Sequence, residues 1–194
     1  VGVFVIGFIG VFLAYYYTAN PLRLSARKGL GELTVFLTFG PLLTLGSAFS
    51  MSNIPLDLTY ESLKIFILVG IPLGLLTTNI LLINQFPDYN SDKKSGKINL
   101  VVLLGKRFSR WIYLFNLIII FFSSFYFSKE ISKIFLYFNN TSFNITLLFF
   151  LIYGLYISRG LFKYYDSRSL VTYNIQTIYF QMIFCLGILI NFFL

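Results

Sequence analysis

Two carboxylates and the lysines that follow them give residues 84–105 the clearest chemical potential in the chain. The segment reads NQFPDYNSDKKSGKINLVVLLG, and its lysines near the acids are Lys93, Lys94 and Lys97. Asp88 and Asp92 are four residues apart, so on a helix they share one face, with Asn84 one turn earlier on the same stripe. Two such carboxylates can hold a hard divalent cation, and nearby lysines can bind the phosphate oxygens that the cation bridges.

An ordinary solvated loop would explain the same residues, because Lys93 and Lys94 could neutralise the acids locally. Three features favour a binding site. Asn84 and Gln85 end an apolar stretch, where unsatisfied amides cost free energy. Pro87 bends or restarts the helix just before the acids. A Gly-Lys pair follows the acids, in the order expected when lysine also holds a metal-bound diphosphate.

A basic, glycine-containing loop lies earlier in the chain, between Tyr17 and Glu32. It carries Arg23, Arg27 and Lys28. The loop could close over a bound anion, or it could anchor the membrane face with Tyr17 at the interface, and these residues alone leave both interpretations open. Glu32 could pair with Arg27 or Lys28 at the surface, and such a pair would contribute roughly 0 to 1 kcal/mol.

The composition indicates an integral membrane protein. The chain is 57% hydrophobic and only 11% charged, whereas a soluble domain carries about a quarter charged residues. The formal charge of +8 would suit nucleic acid, but the basic residues lie between apolar stretches and form no continuous face, which argues against that partner. The chain has no histidine, so it lacks the usual general base and the ligand of most zinc sites.

Six stretches approach the roughly 20 apolar residues that a transmembrane helix needs. We therefore predict an all-α integral membrane protein with six transmembrane helices, two of them kinked, at Gly40-Pro41 and at residues 70–72. The predicted spans are Val1–Tyr17, Leu33–Phe49, Leu63–Ile83, Trp111–Phe127, Phe143–Ile157 and Ile175–Leu194.

The basic residues between these spans predict the orientation. The first, third and fifth connections carry twelve Lys and Arg residues, and the other two carry three, counting Lys64 just inside the third span. Because basic loops stay on the cytoplasmic side, the acidic segment is predicted to face the cytoplasm and the C-terminus the opposite side.

Amide side chains inside the predicted spans are expected to hydrogen-bond between helices. They are Asn79, Asn116, Asn174, Gln176 and Gln181. Asn79 is a candidate for the site instead, because it lies near the acids on the third span.

The segment N-Q-F-P-D-Y-N-S-D-K-K-S-G-K-I-N-L resembles the second aspartate-rich motif of the UbiA superfamily of intramembrane prenyltransferases. It is closest to the branch that prenylates 1,4-dihydroxy-2-naphthoate in menaquinone synthesis. The stretch Y-T-A-N-P-L-R-L…R-K-G-L-G-E-L resembles the loop before the fifth helix of that branch. The two motifs lie in the family's order, and the resemblance covers essentially the whole chain.

This resemblance implies a nine-helix bundle around a lipid-open cavity, with residues 1–194 as a partial domain holding the fourth to ninth helices. The family's first aspartate-rich motif would then lie upstream of Val1. The chain would hold one of two metal-binding halves and would be inactive alone.

The resemblance also assigns roles. Asp88 and Asp92 would bind the Mg²⁺ ions that bridge a polyprenyl diphosphate, and Asn84 would support that site. Lys97, Arg23 and one of Arg27 or Lys28 would hold diphosphate oxygens. Tyr17 would lie near the aromatic acceptor. Asn99 stands where family members often have threonine.

The implied activity is Mg²⁺-dependent transfer of a polyprenyl group to an aromatic acceptor, 1,4-dihydroxy-2-naphthoate with decarboxylation, at the cytoplasmic side of the inner or plasma membrane. Other acceptors in the family are 4-hydroxybenzoate, homogentisate and glycerophosphate lipids. A transporter or non-catalytic scaffold is the alternative from another class. It predicts charged residues along a midplane pathway, which these spans essentially lack. The predicted partners are both substrates and the lipid bilayer.

Overall fold

The computed structural model describes residues 2–51, 60–135 and 138–192, and within these ranges it contains helices and no strand. Val1 and residues 193–194, at the outer ends of the first and last predicted spans, lie outside the described residues, as do residues 52–59 and 136–137. The helices are α1 (Gly2–Thr18), a 3₁₀ turn (Leu24–Ala26), α2 (Leu30–Phe39), α3 (Pro41–Met51), α4 (Tyr60–Asn84), α5 (Tyr89–Lys94), α6 (Leu100–Leu104), α7 (Lys106–Ile134), α8 (Asn140–Tyr164) and α9 (Leu170–Ile190).

Within the described ranges, five segments are long and apolar enough to cross a membrane: α2 with α3, Leu63–Asn84 of α4, α7, α8 and α9. The first predicted span corresponds to α1, which is apolar but only 17 residues long. The structure therefore confirms an all-helical protein with five of the six predicted spans as candidates. The helices that correspond to the fourth and fifth predicted spans, α7 and α8, extend beyond the prediction at both ends. At the end of α7, for example, the polar residues Lys129 and Glu130 continue the helix.

The two predicted kinks have different outcomes. At Gly40-Pro41 the helix is interrupted, and Pro41 starts α3, a position where its missing N–H has no intrahelical partner to lose. A Cβ atom on Gly40 would stand 2.5 Å from the carbonyl oxygen of Gly70, so glycine allows α4 to cross closely here. α4 continues through Pro72 as one helix, so the structure shows no interruption there and the second kink stays a prediction.

α4 lies at the centre of the bundle and packs against α2, α3, α7 and α9. Aromatic side chains fill the contacts among α7, α8 and α9, where Tyr113, Phe143 and Phe184 are completely buried. The outer faces of the same helices carry exposed phenylalanine, leucine and isoleucine, as expected where a helix meets lipid.

Amide hydrogen bonds cross between helices as predicted. Asn116 donates to Asn79 Oδ1 at 2.8 Å, and Gln181 donates to Thr77 Oγ1 at 2.9 Å. Asn174 likewise joins α9 to α4, and the Tyr153 hydroxyl joins α8 to Gln176 on α9. Asn79 is not part of the site with the acids, as had been considered. Its side chain is fully buried between α4 and α7 and donates to the carbonyl oxygen of Tyr113.

Candidate active site

The acidic segment begins where α4 ends. Pro87 lies in the turn after Asn84, and Asp88 is the residue before α5. The backbone N–H of Asp92, in the first turn of α5, donates to the carbonyl oxygen of Asp88 at 2.8 Å, so the two acids are one helical turn apart, as predicted. Asn84 belongs to the preceding helix. The single stripe predicted for all three residues is therefore wrong, because the turn at Pro87 separates Asn84 from the acids.

The two carboxylates have different surroundings. The side chain of Asp92 is only 13% exposed, and its Oδ2 accepts from Asn99 Nδ2 at 2.7 Å and from Lys97 Nζ at 3.1 Å. Asp88 is exposed and makes no capping hydrogen bond to the helix that it precedes. Asp92 is thus fixed in place, while the Asp88 carboxylate is accessible from solution.

Asn99 is a site residue whose role sequence reasoning missed. It is buried, and its Oδ1 caps α6 by accepting the Val102 N–H at 2.8 Å while its amide donates to Asp92. An asparagine before an apolar run is a helix-capping signal, but the second contact depends on how α6 folds back onto α5.

The basic loop lies against the acidic segment. The Ile98 N–H donates to the carbonyl oxygen of Ala26 at 3.0 Å, and a Cβ atom on Gly29 would stand 2.8 Å from Leu100 Cδ2. Gly29 has a φ of +86°, a conformation that side chains rarely adopt, so it supplies both the turn and the close approach. The structure therefore brings together the two segments that the sequence singled out.

The three candidate cations of this loop differ in their contacts. Arg27 Nη2 donates to the carbonyl oxygen of Pro21 at 2.7 Å, which braces the loop. Arg23 and Lys28 are exposed, both with positive φ, and neither makes an ion pair within the described ranges. Their charges remain available to an anion.

The surface ion pair predicted for Glu32 is wrong. Glu32 lies in the first turn of α2 and points inward, with 3% of its surface exposed. Its Oε1 accepts from Gln85 Nε2 at 2.7 Å and from the Leu100 N–H at 2.9 Å, so it contacts the acidic segment and not Arg27 or Lys28.

A cavity of about 590 Å³ lies between α1, α2 and α4. Tyr17 and Asn84 line it from the last turns of α1 and α4, and the basic loop and the acidic segment follow these turns directly. Farther from those loops its walls are apolar or small, including Gly10, Leu13, Ala14, Val35, Thr38 and Ile80. Asn84 is held by Asn174, which donates to its Oδ1 at 2.9 Å from α9. The arrangement is an apolar chamber with charged loops at one end.

In the part of the chain that the structure describes, no three His, Cys, Asp or Glu side chains cluster closely enough to hold a metal ion. The acidic segment supplies two carboxylates, on Asp88 and Asp92, and hard cations such as Mg²⁺ accept one or two carboxylates together with substrate phosphates. These donors suit part of a Mg²⁺ site.

Residues 1–185 match the UbiA prenyltransferase family, and the chain therefore belongs to this family, as the resemblance predicted. Together with its five long apolar helices, this makes it a multi-pass membrane protein. No solved structure matches the chain.

Curated relatives match about half of the chain. UbiA prenyltransferase domain-containing protein 1 of Dictyostelium discoideum is 35% identical over 108 residues, 56% of this chain and 30% of that protein. 1,4-Dihydroxy-2-naphthoate octaprenyltransferase of Escherichia coli is 34% identical over 106 residues, 55% and 32% of the two chains. 2-Carboxy-1,4-naphthoquinone phytyltransferase of Synechocystis is 33% identical over 99 residues, which are 51% of this chain and 30% of that protein. The aligned stretch spans about a third of each relative.

Proposed function

We propose that this chain belongs to an enzyme that transfers a polyprenyl group from a polyprenyl diphosphate to an aromatic acceptor, 1,4-dihydroxy-2-naphthoate. The observation that carries the proposal is the 590 Å³ chamber, which ends at Tyr17 and Asn84 where the two charged loops begin. An amphipathic donor with an apolar tail and a diphosphate head needs such a pairing of apolar walls and cations.

The donor's head group lies at the loops. Asp88 and Asp92 would hold Mg²⁺, and Lys97, Arg23 and one of Arg27 or Lys28 would bind diphosphate oxygens. Bound Mg²⁺ would neutralise charge on the departing diphosphate. The family resemblance implies that another aspartate-rich motif would supply further metal ligands.

The donor's tail occupies the chamber. Its walls exclude water from the allylic carbon, and the cationic side chains stabilise the negative charge that develops as the C–O bond to diphosphate breaks. Tyr17 lies near the acceptor ring. The ring carbon that carries the carboxylate, ortho to a hydroxyl, attacks the allylic carbon as diphosphate leaves, and loss of that carboxylate as carbon dioxide restores aromaticity.

The naphthoate acceptor is supported by the relatives from Escherichia coli and Synechocystis, whose names specify naphthoate-type substrates. The cytoplasmic orientation of the site is supported by the twelve basic residues in the three connections on its side. 4-Hydroxybenzoate, homogentisate and glycerophosphate lipids are the competing acceptors.

The test is prenyl transfer by the full-length protein in membranes, with 1,4-dihydroxy-2-naphthoate, a polyprenyl diphosphate and Mg²⁺. Asp88→Asn and Asp92→Asn are each expected to lower kcat/KM on the order of 100-fold, because each removes a ligand that acts on transition-state charge. Asp166→Asn is the matched control, since Asp166 is an exposed carboxylate in the α8–α9 turn that pairs with Lys106. Wild-type turnover in either site variant would contradict the metal role. Product formation only with a competing acceptor would contradict the naphthoate assignment.

A further inference from the structure

Glu32 is a buried carboxylate, and no cationic partner for it lies among the described residues. Asp92, Asp166 and Glu130 each lie within 3.1 Å of a lysine ammonium, whereas Glu32 makes no ion pair within the described ranges. Its Oε2 is buried and has no hydrogen-bond partner there. Burying such a group costs free energy unless its contacts offset the cost, so what Glu32 binds is informative.

The contacts of Glu32 lie at the two ends of the acidic segment. Its Oε1 accepts from the side chain of Gln85, which precedes the acids, and from the backbone N–H of Leu100, which follows them. One carboxylate oxygen therefore closes residues 85–100 into a loop and attaches both ends to α2.

The attachment continues to one of the acids. Leu100 is the first residue of α6, and Asn99 before it caps that helix. The Asn99 amide donates to Asp92 Oδ2 at 2.7 Å. A displacement of the α6 N-terminus would therefore be passed directly to the Asp92 carboxylate.

We propose that Glu32 is a positioning residue, which sets the place of Asp92 through Leu100 and Asn99 and so tunes the affinity of the site for Mg²⁺ and the donor diphosphate. The metal part of this inference rests on the proposed function. Glu32 touches neither substrate nor metal. Groups that orient metal ligands in this way typically contribute 10–100-fold to metal affinity.

The kinetic test compares Glu32→Ala with Glu32→Gln and with a second buried glutamate, Glu130, which is 8% exposed and pairs with Lys64 and Lys133. Glu32→Ala is expected to raise the Mg²⁺ concentration for half-maximal activity at least tenfold and to leave the KM for the acceptor within twofold. Glu32→Gln keeps an acceptor oxygen and is expected to change the Mg²⁺ requirement less than Glu32→Ala. Glu130→Ala is expected to leave it unchanged. An unchanged requirement in Glu32→Ala, or an equal rise in Glu130→Ala, would overturn the proposal.

A second measurement is independent of catalysis and needs no metal. Amide hydrogen exchange at Leu100 is expected to be at least tenfold faster in Glu32→Ala than in the wild type, because the Leu100 N–H loses its acceptor. If Glu32→Ala fails to fold, Gln85→Met removes one donor at constant length and is expected to speed exchange across residues 85–100. Unchanged exchange in the folded variants would overturn the attachment itself. Fast exchange in a protein whose wild type transfers no prenyl group would leave the attachment standing and reject only the proposed reaction.

Discussion

The helices on the two sides of α4 differ in how tightly they pack. Between α1, α2 and α4 lies the chamber of about 590 Å³. Among α7, α8 and α9 the corresponding void measures about 10 Å³ and is enclosed by rings such as Phe150, Phe180 and Phe184. The core among α7, α8 and α9 is therefore tightly packed. A second cavity, of about 340 Å³, lies beside it between α4, α7 and α9, and it is smaller than the chamber.

Side-chain size accounts for this difference. The chamber is lined in part by glycine, alanine and threonine, whereas phenylalanine and leucine fill the packed half. Two edge-to-face pairs join Phe180 to Phe150 and to Tyr153, with ring centroids 6.0 and 5.7 Å apart. The chain's 24 phenylalanines thus serve two environments, and their number alone does not show which half is open.

The largest expected effect comes from opening the packed half. Phe180→Ala removes a ring that is 2% exposed and should cost about 3–5 kcal/mol of stability, because the surrounding helices cannot fully collapse onto the void. In a fixed detergent this corresponds to a fall in Tm of about 10 °C. Turnover per folded molecule should stay unchanged.

The control is Phe149→Ala, at a position 68% exposed on α8. Its free energy of unfolding should lie within about 0.5 kcal/mol of that of the wild type. Equal losses in the two variants would mean that the aromatic core is not what stabilises this half.

A smaller effect is expected from closing the chamber. A Cβ atom on Gly10 would meet no atom within 4 Å, so Gly10→Phe can project its ring into the open space with little effect on folding. We expect at least a tenfold loss in kcat/KM with a long-tailed donor and a smaller loss with a short one, because each displaced CH₂ contact is worth about 0.8 kcal/mol.

The matched control for this variant is Val11→Phe, which adds a ring at the next position, 70% exposed on α1. It is expected to retain wild-type kinetics with both donors. A loss that does not depend on tail length would show that the chamber does not hold the tail.

The smallest expected effect separates two capping asparagines. Asn99 caps α6 beside the acids, and Asn139 caps α8 in the packed half by accepting the Ser142 N–H at 3.0 Å. Either asparagine-to-alanine change should cost about 1 kcal/mol of stability. Asn99→Ala should also lower kcat/KM several-fold, because Asp92 loses a hydrogen bond. Thermal unfolding and steady-state kinetics on both variants check this. Similar kinetics in the two would show that the hydrogen bond from Asn99 to Asp92 does not matter for activity.

Hydrophobic length and charge placement were sufficient to predict much of this molecule. Long apolar runs predicted six spans, and five of them correspond to segments of membrane-spanning length within the described residues. Pro87 predicted the turn that separates α4 from α5. The two charged segments were recognisable because carboxylates and cations are rare in a chain with 11% charged residues.

Contacts between distant segments were not predictable in the same way. Glu32 lies close in sequence to Arg27 and Lys28, so a local ion pair was the natural expectation. The first turn of α2 points instead into the bundle, where Gln85 and Leu100 meet it. Likewise, the capping role of Asn99 can be read from the sequence, but its bond to Asp92 depends on tertiary geometry. The lining of the chamber could not be predicted either, because it depends on how α1, α2 and α4 are placed relative to one another.

The backbone bond from Ile98 to Ala26 has a consequence for the order in which the protein is made. The two loops that it joins are synthesised far apart in time, with the whole of α2, α3 and α4 between them. During translation, the basic loop therefore emerges before the acidic segment. The two can come into contact only after α2, α3 and α4 have been synthesised. The contact between the two charged loops therefore forms late in biogenesis, and a partly translated chain does not yet have it.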